Sequence, residues 1–221
     1  MECRTLHARI EPLGLEGMLA LPPQPAGVVL FAHGSGSSRL SPRNRHVAET
    51  LQQAGLATLL FDLLRAEEAG DRRLIFDIPR LTTRLREAVA WVEACEAARD
   101  LPLGFFGSST GAAAALLAAA EPSSGIAAVV SRGGRVDLAG EALARVRAPT
   151  LLIVGALDEE VLELNRVALA MLACPARLAI VPGASHLFEE PGTLEQVAAM
   201  AAAWFRTQFG QAPSPEIHHV C

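Results

Sequence analysis

The chain has 221 residues, 51% of them hydrophobic, which suits one α/β domain with a sizeable buried core. Its formal net charge of -5 argues against nucleic acid as a partner, because phosphate binding needs a basic face. No apolar run reaches the roughly 18 residues of a membrane-spanning helix, so no membrane partner is expected.

Residues 1–14 carry Glu2 and lack the apolar stretch of a signal peptide, so a cytoplasmic location is the expectation. Two short strands are predicted at residues 4–11 and Leu15–Leu21, and the Pro-rich residues 22–25 then turn the backbone. Residues 27–32 (GVVLFA) form a continuous apolar run, which suits a parallel strand buried on both faces. Similar runs recur at Ala57–Phe61 and at residues 103–106, 126–130, 150–154 and 178–181. Helical patterns lie between or after them at residues 42–54, 79–98, 111–121, 138–146, 161–173 and 193–209. This alternation of strand and helix reads as a doubly wound parallel sheet with helices on both faces. Residues 63–78 are the longest stretch without periodicity and carry Arg65, Glu67, Glu68, Asp71, Arg72 and Arg73. Most such clusters are solvated surface, but this one follows a parallel strand and should sit at the carboxyl edge, where ligands bind. Residues 1–210 are therefore expected to form one domain. Residues 211–221, with two prolines, are expected to form a flexible tail. Cys3, Cys95, Cys174 and Cys221 form no CxxC pair and no metal-ligand spacing, so free thiols and no metal site are expected.

The strongest motif is LGFFGSSTG, residues 103–111. It contains G-x-S-x-G as Gly107, Ser108, Ser109, Thr110 and Gly111, between an apolar strand and an Ala-rich helical pattern. A sharp strand-to-helix turn strains the backbone at its central residue and requires small neighbours two positions away, as Gly107 and Gly111 are. Ser109 is thus the candidate nucleophile. The bland alternative is a Gly/Ser turn in which Ser109 only caps a helix.

A serine hydroxyl needs a neighbouring base. His7, His33 and His46 precede Ser109, and His218 and His219 fall in the expected tail. That leaves His186, just after the last apolar run, in the chain order Ser, acid, His. Asp158 follows the run at 150–154 and is the candidate acid. It would hold the His186 tautomer and stabilise the imidazolium. Asp137 is the serious rival, Glu159 and Glu160 read as the first turn of a helix, and Asp62 reads as structural. Residues 27–38 (GVVLFAHGSGSS) end a strand in a flexible loop. The backbone N–H groups of Ser35 and Thr110 are the candidate oxyanion donors, with His33 hydrogen-bonded inside the loop. A nucleotide-binding loop is the weaker reading of Gly34–Gly36, because Arg39 stands where G-x-G-x-x-G needs its third glycine.

Together HGSGSS, GSSTG, GALDEE and GASHLFEEPG resemble the α/β-hydrolase superfamily and, within it, the dienelactone hydrolase-like branch. The resemblance implies an α/β-hydrolase fold with an eight-stranded, mostly parallel sheet. It also implies a Ser109–Asp158–His186 triad at the carboxyl edge, Ser35 and Thr110 as oxyanion donors, and no cofactor. Dienelactone hydrolases proper use a cysteine nucleophile, whereas this chain has Ser109, which points to general ester or acyl hydrolysis. Only a short stretch separates Arg135 from the strand at Thr150, so no large cap domain is expected. Arg132 and Arg135 follow a parallel strand, Arg43 and Arg45 follow the oxyanion loop, and Arg43, Arg132 and Arg135 are the candidate substrate contacts. If they cluster at the site they would bind a carboxylate or phosphate on the substrate. Otherwise they are surface arginines paired with Asp137, Glu49 or Glu141. The expected partner is a small ester or acyl substrate. A thioesterase or acyltransferase with the same triad, and a non-catalytic binding protein on the same fold, are the alternatives. No pattern specifies an oligomeric state.

Overall fold

A computed structural model of the protein describes residues 3–210. The expected tail at residues 211–221, with Cys221, lies outside the described residues.

Eight strands form one sheet: β1 (Arg4–Ile10), β2 (Leu15–Leu21), β3 (Val28–Ala32), β4 (Ala57–Phe61), β5 (Leu103–Ser108), β6 (Ile126–Arg132), β7 (Thr150–Gly155) and β8 (Ala176–Val181). Their order across the sheet is β1-β2-β4-β3-β5-β6-β7-β8. β2 runs antiparallel to both β1 and β4, and every other neighbouring pair is parallel. Every residue of β3, β4, β5 and β7 is buried, which is why their sequences are unbroken apolar runs. β2 instead alternates buried and less buried positions, as a strand with one solvated face does. β8 closes the far edge and is buried only at Val181.

Helices cover both faces. α1 (Pro42–Gln53) and α6 (Thr193–Gln208) pack together over Val29, Phe31, Phe106 and Val130. Phe31 and Phe106 meet there with ring centroids 4.9 Å apart. α3 (Ile78–Ala94) and α4 (Thr110–Ala119) cover the opposite face over Leu30, Leu59 and Phe105. Each such side chain contributes about 1.5–3 kcal/mol through burial. α5 (Glu159–Met171) lies beside β7 and β8. No helix among the described residues is long and apolar enough to cross a membrane. Cys3, Cys95 and Cys174 are free thiols.

Three segments differ from expectation. The helix predicted to residue 98 ends at Ala94, where Cys95 turns to an extended conformation with ψ 112°. The helix predicted at residues 138–146 is a 3-10 segment, Val136–Arg145, broken by Gly140 at φ 53°. Residues 63–78 contain the short helix α2 (Arg72–Ile75), whose Asp71 cap accepts from the Arg73 N–H at 2.9 Å. In that same stretch Glu68 is not solvated surface. It is buried and accepts both Arg84 guanidinium nitrogens at 2.8 Å, while Arg84 also donates to the Leu63 carbonyl at 2.7 Å. These Arg84 bonds, with the Arg65 N–H, hold the Glu68 carboxyl down at about 2.

Candidate active site

β5 delivers Ser109 to the carboxyl edge of the sheet, and α4 starts at the next residue. Ser109 has φ 50° and ψ -123°, a conformation that side-chain-bearing residues rarely adopt. The neighbouring loop holds it there. Its N–H donates to the Arg132 carbonyl at 3.3 Å, and its own carbonyl accepts the Arg135 N–H at 3.0 Å. A Cβ on Gly107 would strike the backbone of Ala112, and one on Gly111 would overlap the Ala32 carbonyl oxygen. Both glycines are therefore steric requirements of the turn. Ser109 occupies the N-cap position of α4, yet its side chain makes no capping hydrogen bond. The bland reading of Ser109 as a simple cap does not describe this geometry.

The loop after β3 presses on this turn. A Cβ on Gly34 would lie 2.7 Å from Ser109 Cβ. Ser35 and Thr110 line one small cavity together with His33, Gly36 and Ser37. Thr110 opens α4, where the first N–H groups have no acceptor within the helix. The loop is tied down by His33, whose Nδ1–H donates to the Gly34 carbonyl at 3.1 Å. Its Nε2 accepts the Leu63 N–H at 2.9 Å. Burial lowers the His33 pKa and favours this neutral tautomer. Asp62 accepts the Arg39 N–H at 2.7 Å and pairs with the Arg39 side chain on the same rim.

On the other side, the turns after β7 and β8 interlock. The Leu157 N–H donates to the Ala184 carbonyl at 3.0 Å, and a Cβ on Gly155 would collide with the Ala184 carbonyl oxygen. This brings Asp158 Oδ2 to 2.6 Å from His186 Nδ1, with the Asp158 side chain 14% exposed and the His186 side chain 40% exposed. Asp158 stands at the N-cap of α5 but makes no capping bond, so its carboxylate is committed to the imidazole. Gly133, after β6, lies against the same ring, since a Cβ there would sit 3.6 Å from His186 Nδ1. The rival Asp137 is engaged elsewhere, accepting Arg135 Nε at 2.9 Å and Nη2 at 2.8 Å. Glu159 and Glu160 lie in the first turn of α5.

The three candidate arginines separate. Arg135 is bound to Asp137, as its surface-pair reading expects. Arg43 donates to Glu189 at 3.0 Å, a partner that the sequence reading did not name. Arg132 is 8% exposed, and its buried Nη1 has no hydrogen-bond partner. Another unforeseen residue is Glu190, which accepts the Ser185 N–H at 3.0 Å and braces the backbone beside His186. The Ser185 hydroxyl first, and this N–H after it, lower the Glu190 pKa. No group of three or more His, Cys, Asp or Glu among the described residues could hold a metal ion.

The description "Alpha/beta hydrolase domain" fits residues 25–204 as a family. The chain belongs to that family. Within this α/β-hydrolase family it is similar to dienelactone hydrolase from Anabaena variabilis, at 52% identity and a TM-score of 0.89, covering 93% of this chain and 97% of that one. That similarity places it in the dienelactone hydrolase-like branch. The fold is shared with Est1E from Butyrivibrio proteoclasticus, at 16% identity and a TM-score of 0.77, over 94% of this chain and 99% of that one. A Mycobacterium tuberculosis H37Rv protein, provisionally named a phosphoribosyl transferase, is 57% identical over 194 residues. The match covers 88% of this α/β-hydrolase chain but only 44% of that relative's length.

Proposed function

We propose that this α/β-hydrolase cleaves a carboxylic ester through an acyl-serine intermediate, with Ser109, His186 and Asp158 as its triad. The observation that carries the reading is the 2.6 Å contact between Asp158 and His186 Nδ1, in loops that border a strained, uncapped serine. Asp158 would fix the tautomer that leaves Nε2 as acceptor, and His186 would take the Ser109 hydroxyl proton as Oγ attacks the ester carbonyl. The N–H groups of Ser35 and Thr110 would receive the developing oxyanion. The imidazolium would return its proton to the leaving alcohol as the ester C–O bond breaks. Water, deprotonated by His186, would then release the acid and restore Ser109.

A fluorophosphonate probe tests the reading directly. The expected product is one covalent adduct, located on Ser109 by peptide mass spectrometry and lost in Ser109→Ala. Folded protein that carries no adduct on Ser109 would remove the triad from the mechanism.

A further inference from the structure

β6 ends in a buried charge without a counter-charge. Ala128 and Val130 face the layer of α1 and α6, and the period of two along a strand turns Arg132 to the same side. There Arg132 is 8% exposed, and among the described residues it makes no ion pair. The charged group nearest enough to affect it is another cation, Arg43, near the start of α1. Burial, with that neighbouring charge, pushes Arg132 down to about 10, so it still carries its proton at neutral pH. Arg43 also buries Nε without a partner, and adjoining Asn44 buries Oδ1 without one. Among the described residues the acid that pairs with either arginine is Glu189, which meets Arg43 at 3.0 Å and is itself 63% exposed.

Three other arginines near the site are matched: Arg135 by Asp137, Arg39 by Asp62 and Arg84 by Glu68. Burying an unmatched guanidinium is costly, and the cost is recovered when an anion binds it. The location is equally pointed. The Arg132 carbonyl accepts the Ser109 N–H, Arg43 follows the loop that carries Ser35, and Glu189 lies in the loop of His186. The two arginines therefore sit on, or pair with, the segments that carry nucleophile, oxyanion donor and base.

We infer that Arg132 and Arg43 form a subsite for a compact anionic group on the substrate, a carboxylate or a phosphate. The inference rests on the ester-hydrolase reading for its placement, and it separates Arg132 and Arg43 from Arg135, which is already neutralised. A planar guanidinium with free donors receives either anion through paired N–H bonds.

The test uses matched esters that end in a carboxylate, a phosphate or a neutral amide, with the terminal group on the acyl chain in one series and on the alcohol chain in the other. In the wild type, kcat/KM for an anionic member of one series should exceed that of its amide partner about ten- to hundredfold. Whether carboxylate or phosphate leads identifies the group. Arg132→Met should bring the ratio close to one, and Arg43→Gln should lower it. If Arg132→Met folds poorly, the more exposed Arg43→Gln carries the test, and an unchanged ratio there counts against the subsite. Equal turnover of amide and anionic esters in both series would overturn the inference. So would a wild-type ratio in folded Arg132→Met. A thermal shift with inorganic phosphate and with succinate reads the subsite without turnover, and the stabilisation should vanish in Arg132→Met. If stabilisation persists in a wild-type protein that cleaves no ester, the ester-hydrolase reading fails and the anion subsite stands.

Discussion

Asp158 and His186 meet at 2.6 Å through Oδ2 and Nδ1, and the pair is formed by side chains 28 residues apart. Asp137 meets Arg135 instead. Asp158→Asn should therefore lower kcat on a p-nitrophenyl ester by about 10³- to 10⁴-fold, since the amide would stabilise the wrong tautomer and no imidazolium. Asp137→Asn should cost less than about tenfold, because that position only loses an arginine partner. Steady-state kinetics of the two variants decide, and the reverse ranking would transfer the acid role to Asp137.

Replacing Ser109 by glycine separates chemistry from strain. The change removes Oγ, and activity should fall on the order of 10³-fold or more. It also relieves a positive φ that costs on the order of 1–3 kcal/mol, so the melting temperature should rise, by about 2–12 °C at roughly 2–4 °C per kcal/mol. Calorimetry beside the ester assay checks both effects. A variant that stays active, or one that melts well below wild type, contradicts this account of the turn.

Glu68 predicts an acid limb in stability. Its carboxyl is held at about 2 in the folded protein, against an ordinary value of 4.5. A lowered carboxylate pKa supplies stability above pH 4.5 that is lost as pH falls toward 2. The pH-dependent part is roughly 3 kcal/mol at 1.36 kcal/mol per unit. Urea denaturation of wild type and Glu68→Gln should show a gap that is wide above pH 5 and narrows steadily below pH 4.5. A gap independent of pH would mean that Arg84 does not hold the charged form of Glu68.

His33 should act in a milder range. Burial lowers its pKa below the ordinary 6.5, so the folded state keeps it neutral while the unfolded chain takes up a proton. Stability is then lost as pH falls from 6.5 toward the lowered folded-state value, a loss that begins at a higher pH than that of Glu68. Protonation also removes the acceptor for the Leu63 N–H that anchors the loop of Ser35. His33→Gln can still donate and accept, and it should flatten the stability profile as pH falls below 6.5. An unaltered profile in the variant would free His33 from that role.

The sequence made local features legible and long-range partners obscure. β3, β4, β5 and β7 could be found because burial on both faces leaves an unbroken apolar run. Ser109 stood out because the turn fixes its neighbours within five residues. Asp158 and Asp137 both follow parallel strands, so their position could not separate them. The side chain each one meets does, and that depends on how two distant loops interlock. Arg84 was missed although a signal existed. It sits three residues after Leu81 and four before Ala88, on the buried stripe of α3, where a charge demands a partner. Its partner Glu68 looked like one more charge in a polar loop. The pattern at residues 138–146 resembles an ordinary helix because Gly140 alone marks the break in the 3-10 segment Val136–Arg145.

The connection between β6 and β7 has a kinetic meaning. Residues 133–149 hold no inserted domain, only that broken 3-10 segment. If the proposed ester hydrolysis holds, no inserted domain at this connection would have to swing open before substrate arrives or product departs. An acyl group on Ser109 would also stand within reach of bulk water. Access of water to that group is what hydrolysis, as opposed to transfer to a second acceptor, would require.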